Sequence, residues 1–250
     1  MNNNLLNGHP FGVHPDKGSI TVSFVAAPSE QFCQELIRWG KECGTNYQLH
    51  KIHENQISSF LGDFEGQATA AVIMQTQSKW SAFVENDRIG GIPISLLYSM
   101  AKRLQIQCVG VTIDDLSVAK LQNRPFGMVF QYCEGIVDNT TVRARMIYLC
   151  KDNSKWTFFA TGEPLPFENT NCYLTQRKSD RLTKELLISY MHHLGINFDT
   201  QNNFYIPHEV IGLTWDYSNS DTTKMDQIAQ QIAKITGFKL TIYKPSSPKS

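Results

Sequence analysis

A surplus of one charge, paired cysteines and long apolar runs are all missing from this sequence. Lysine plus arginine number 23 and aspartate plus glutamate number 23, so the formal net charge is zero. A dedicated nucleic-acid binder needs a basic surplus to meet phosphates, and this balance argues against one, leaving room only for a local basic patch. Weak self-repulsion leaves association open, with a partner or as a homo-oligomer. No stretch approaches the roughly 20 apolar residues of a membrane-spanning helix, so no membrane partner is expected. The opening MNNNLLNGHPFGVHPDKG has neither the basic start nor the apolar core of a signal peptide. The cytoplasm is the expected compartment.

The six cysteines are Cys33, Cys43, Cys108, Cys133, Cys150 and Cys172, and none forms a C-x-x-C pair. Zinc-ribbon and thioredoxin readings therefore fail. A chain of 250 residues buries roughly three quarters of the surface its unfolded form exposes, so it needs no disulfide or metal to hold a core. Cysteines on apolar stretches, such as Cys108 and Cys150, suit reduced, buried thiols.

Catalytic signatures are missing too. There is no G-x-S-x-G elbow, no papain-like cysteine motif, no G-x-x-x-x-G-K-[ST] loop and no G-x-G-x-x-G fingerprint. Arg88-Ile89-Gly90-Gly91 reads as a plain turn more readily than as an anion cradle. His50 and His53, followed by Glu54, match neither zinc-protease pattern and lack a third ligand, so no metal or cofactor is expected. His192 and His193 fall in the last turn of a predicted helix, where a positive charge complements the helix dipole.

What is present is periodicity. Alternating segments predict strands over 20–26, 47–52, 68–76, 79–85, 109–113, 127–132, 142–150, 156–160, 210–215 and 238–243. Helical spacing predicts helices from Ser29 (as N-cap) to Gly44, over 55–61, over 94–104, from Asp180 (as cap) to Leu194, and over 223–236. Hairpins among the strands favour antiparallel pairing and an α+β fold, with largely antiparallel sheets and amphipathic helices packed on them. The expected organisation is a leader over 1–18, a first α+β unit over 19–120, a second over 121–243 and a tail over 244–250, the two units being separate or continuous. Ser78-Lys79-Trp80-Ser81-Ala82-Phe83 recurs loosely as Ser154-Lys155-Trp156-Thr157-Phe158-Phe159. That hints at two related strand–strand–loop–helix halves.

The most informative stretch runs from Gly162 to Arg181. Two prolines stiffen a loop bearing Glu163, Phe167 and Glu168, and a mixed-charge cluster of Arg177, Asp180 and Arg181 follows. A stiff loop with an aromatic and arginines is what a protein-contact patch uses, so these six residues are the expected partner-binding set. Alternatively, Glu163 and Glu168 could form a paired-carboxylate site of hydrolase type with dispersed histidines.

In style, motif-poor with tryptophan-bearing strands, the chain resembles bacterial toxin-immunity and small regulatory proteins. The resemblance rests on no residue-level match, so it transfers no functional residues. The expectation is a non-catalytic intracellular module that binds another protein. A carboxylate enzyme and a structural subunit of a larger assembly are the alternatives.

Overall fold

Along the stretch 126–133, Phe126, Met128, Phe130 and Tyr132 enter one hydrophobic cluster and Cys133 enters another. Residues two apart on a strand share a face, so these are the two sides of one sheet, both buried. The computed structural model describes residues 19–62, 68–86, 94–121, 123, 125–136, 141–152, 155–197 and 205–216, with scattered positions between 223 and 234. The expected leader, tail and last strand, the Gly90-Gly91 turn and most of the expected 223–236 helix lie outside the described residues.

In chain order the elements are β1 (Ser19–Val25), α1 (Ser29–Glu42), β2 (Asn46–Ile52), α2 (Ile57–Gly62), β3 (Ala68–Thr76), β4 (Ser81–Glu85) and α3 (Ile94–Leu104). Then come β5 (Gln107–Asp114), α4 (Leu116–Leu121), β6 (Phe126–Gly135), β7 (Val142–Asp152), β8 (Lys155–Thr161), α5 (Lys184–His193) and β9 (Tyr205–Asp216). The strands form a nine-stranded sheet in the order β2-β9-β3-β4-β1-β5-β6-β7-β8. Every neighbouring pair is antiparallel. The protein is therefore α+β, with a large antiparallel sheet and packed helices.

The block β3-β4-β1-β5, with α1 and α3 on one face, is a split βαβ arrangement. The meander β6-β7-β8 extends it on one side, and β9 and β2 extend it on the other. Helices α1 and α3 bury Phe32, Leu36, Leu97 and Met100 against Ile73, Phe83 and Cys108. Helices α2 and α5 bury Ile57, Leu187, Tyr190 and Met191 on the opposite face, with Val72, Phe130 and Ile147. The strand pairs β3–β4 and β7–β8 suggested by the sequence both form, but the helices that follow them, α3 and α5, lie on opposite faces of the sheet. A polar strap ties α1 to α3: Glu35 accepts from both Arg38 and Arg103, and Arg103 also grips both oxygens of Glu42.

Ser29 is not the cap of α1. Pro28 takes that position, and the backbone N–H of Ser29 donates to Gln75 Oε1 at 2.9 Å. Nε2 of the same Gln75 side chain donates to the carbonyls of Thr76 and Trp80, at 3.1 and 3.3 Å. One side chain on β3 thus satisfies a helix start and the β3–β4 turn together, a long-range cap that local sequence cannot announce. All six cysteines carry free thiols, four of them buried. No helix among the described residues is long and apolar enough to cross a membrane.

Candidate functional site

The site is organised by a charge on the wrong side of a strand. On β7, Ile147 and Leu149 face the α5 side of the sheet, and the period of two puts Arg145 on that side too. Its side chain is 3% exposed and that of Glu168 is 0% exposed, and the two form an ion pair. An unpaired buried charge would cost several kcal/mol, so the surroundings must supply partners.

They do so almost completely. Arg145 Nη1 donates to the carbonyls of Thr161 at 3.1 Å and Gly162 at 2.8 Å. Its Nε and Nη2 reach Glu168. Glu168 also accepts from Leu165 N at 2.8 Å and from the Tyr173 hydroxyl at 2.8 Å. Because Tyr173 spends its proton on the carboxylate, the 2.9 Å contact between the Tyr173 and Tyr190 hydroxyls must be donated by Tyr190. The oxygen of Tyr190 in turn accepts from Asn169 N at 3.2 Å. Burial raises both phenol pKa values; for Tyr173 the hydrogen bonds with Tyr190 and Glu168 add to it. Burial pulls the Arg145 pKa down, but hydrogen bonding and attraction to Glu168 outweigh it, and the net shift is upward.

This network pins the segment between β8 and α5 to the sheet. Leu165 and Leu182 are buried beneath it. Phe167 stacks on His193 at 5.3 Å and leans on Tyr190 at 5.8 Å. Arg181 donates to the Thr175 carbonyl at 2.9 Å and lies over the Phe158 ring at 5.6 Å. Arg143 adds a hydrogen bond to the Pro164 carbonyl.

The six sequence-derived residues divide. Glu168, Phe167 and Arg181 face inward as parts of the latch. Glu163, Arg177 and Asp180 are exposed. Of the carboxylates of the alternative paired site, Glu163 is exposed, and both oxygens of Glu168 are taken up by Arg145, Leu165 and Tyr173. Asp180 is not the cap of α5: it closes a one-turn 3-10 helix, Lys178–Asp180, and accepts from Ser179 Oγ. Thr183, with extended backbone, caps α5 by accepting from Leu186 N at 3.2 Å.

Sequence reasoning missed Arg145, Tyr173, Tyr190 and Leu174. For Arg145 a signal existed, an arginine in register with Ile147 and Leu149 on an otherwise apolar side. Leu174 ends a second 3-10 turn, Thr170–Leu174, and is 81% exposed on the outer side of the pinned segment.

The histidine pair expected to hold no metal is split. His50 on β2 contacts Thr214 Oγ1 at 2.8 Å, while His53 begins the 3-10 turn after that strand. Among the described residues no group of three His, Cys, Asp or Glu side chains is placed to hold a metal ion. No family model, no curated protein and no solved structure matches the chain.

Proposed function

We propose that this is a non-catalytic binding protein that acts on another protein through the outer side of the 162–183 segment. The function is of the toxin-immunity or regulatory kind, exercised in the cytoplasm. The observation that carries the reading is the division of labour in this segment. Its inward groups, Glu168 above all, are consumed by a buried latch, while Leu174, Glu163, Arg177 and Asp180 are exposed.

A single exposed leucine is ordinary on a protein surface. What supports a contact role is that irregular backbone is fixed beneath it. Ordering a loop on binding costs free energy, and a loop ordered beforehand avoids that cost. Arg177 and Asp180, exposed and three and six residues beyond Leu174, would supply the polar rim that a small apolar anchor uses. The fully engaged carboxylate of Glu168 weighs against the hydrolase alternative, since no oxygen of it is left to move a proton.

The test is a photo-crosslinking residue placed at 174, and at 49 as a control, in cells of the source organism. Leu49 is also exposed, at 59%, but lies on β2 at the other end of the sheet. The reading expects one protein species captured from 174 and not from 49, and its capture abolished by Glu163→Lys with Arg177→Glu. Equal capture at both positions, or none, contradicts it.

A further inference from the structure

A cavity of about 360 Å³ opens between the sheet and the start of α5. Sheet residues Phe126, Met128, Leu149 and Trp156 line it, with Leu182 and Ile188 on the α5 side. These four lie on strands β6 to β8, with Ile113 of β5 and Leu116 of α4 beside them, and Phe126 meets Trp156 edge-on at 5.6 Å and 74°. The sheet side thus offers two aromatic rings and the Met128 sulfur, surfaces a flat ring packs against, while Leu149, Leu182 and Ile188 are aliphatic. A cavity of about 150 Å³ admits one benzene ring, so this volume fits two fused rings.

The charges at its edge decide the ligand's sign. Asp114 and Asp115 line the cavity, each accepting a backbone N–H, from Gly127 at 2.6 Å and from Ser117 at 2.7 Å. Against them stand the ammonium of Lys184 and the α5 N-terminus, equivalent to roughly half a positive charge. Lys151, over the Trp156 ring at 5.7 Å, adds another positive charge nearby. The sum is close to zero. A charged guest would lose hydration without a net opposite field to replace it. Ser179 and Thr183 supply hydroxyls at the same edge.

We propose that this cavity binds a small, uncharged, two-ring aromatic molecule carrying one hydrogen-bonding group, with its rings against Trp156 and its polar group toward Ser179 and Thr183. The site is separate from the outer side of the 162–183 segment and does not depend on the protein-binding reading.

Trp156 makes the test specific. It is the half-buried tryptophan, whereas Trp39, Trp80 and Trp215 are buried. In protein labelled with 5-fluorotryptophan, its fluorine resonance is assigned by its loss in Trp156→Phe. The probe is 2-naphthol, compared with 2-naphthoate and 2-naphthylmethylammonium. The expected result is a saturable shift of the Trp156 resonance alone, with half-saturation below about 1 mM, a modest affinity of about 4 kcal/mol. Ile188→Tyr, which fills the cavity, is expected to weaken binding about tenfold or more; Leu116→Phe replaces it if that variant loses its far-UV circular dichroism. No saturable shift with 2-naphthol, equal binding by the filled variant, or equal binding of either charged probe overturns the proposal.

Discussion

Glu168 takes the guanidinium of Arg145 fork to fork, with Nε to Oε1 at 2.9 Å and Nη2 to Oε2 at 2.6 Å. The pair joins the middle of β7 to a loop 23 residues further along the chain. Such a pair is expensive to break from one side, because the survivor stays buried without its partner. Arg145→Leu is therefore expected to destabilise the protein by about 3–5 kcal/mol. Replacing both residues by leucine should cost clearly less than Arg145→Leu alone. Urea unfolding of the two variants and the parent measures the difference.

Gly162 and Gly195 have almost the same left-handed backbone, with φ of 79° and 75°. They differ in what surrounds them. A Cβ on Gly162 would sit 2.1 Å from the Ala144 carbonyl oxygen, whereas one on Gly195 would meet nothing within 4 Å. Gly195→Ala should cost only the backbone strain, about 1 kcal/mol. Gly162→Ala should cost more, because the start of the pinned segment must shift off β7. Paired denaturation curves check the order, and limited proteolysis within 162–183 should accelerate in the first position's variant alone.

Thr183 and Asp180 make opposite predictions about the start of α5. Thr183→Ala removes the acceptor for Leu186 N and is expected to cost about 1 kcal/mol. Asp180→Ala removes an exposed contact with Ser179 and should stay within about 0.5 kcal/mol. Thermal melts of the two variants decide between the caps.

Much of this was legible in the sequence. Local periodicity marks α3 over the same residues that form it, and the hairpins β3–β4 and β7–β8 follow from alternation. Helix α2 was legible, but α4, equally six residues long, was not. Nor was the insertion of β9 between β2 and β3, since strand order depends on contacts between segments far apart in sequence. The site was half legible. The 162–181 loop stood out by composition, yet which side of it faces inward is fixed by Arg145 on a different strand. Glu168 reads as a free acid until that partner is placed beside it.

Alkaline pH should unfold this protein earlier than its neutral composition suggests. Burial raises the Cys33 thiol from 9.0 to about 11 and the Cys133 thiol from 9.0 to about 12. Burial likewise raises the phenols of Tyr173 and Tyr190 above 10.0. In each case the folded form holds its proton to higher pH than the unfolded chain does. The stability these groups contribute is complete below pH 9 and is lost as pH rises through that value toward the raised folded values, each group adding a slope of about 1.4 kcal/mol per pH unit. Urea midpoints should be level from pH 7 to 8.5 and fall above pH 9. Cys133→Ala should make the fall shallower.

The central claim is that the latch fixes the 162–183 segment so that Leu174 can contact a partner. The most direct measurement is the affinity of the protein captured through position 174 for three purified forms: the parent, Leu174→Asp, and the double variant Arg145→Leu/Glu168→Leu. Each is first shown to be folded by far-UV circular dichroism. The account predicts that Leu174→Asp weakens binding by at least about thirtyfold, the loss of a hot-spot anchor worth 2 kcal/mol or more. It predicts a smaller loss in the double variant, with faster amide exchange across 162–183. Binding by Leu174→Asp as tight as that of the parent would contradict it.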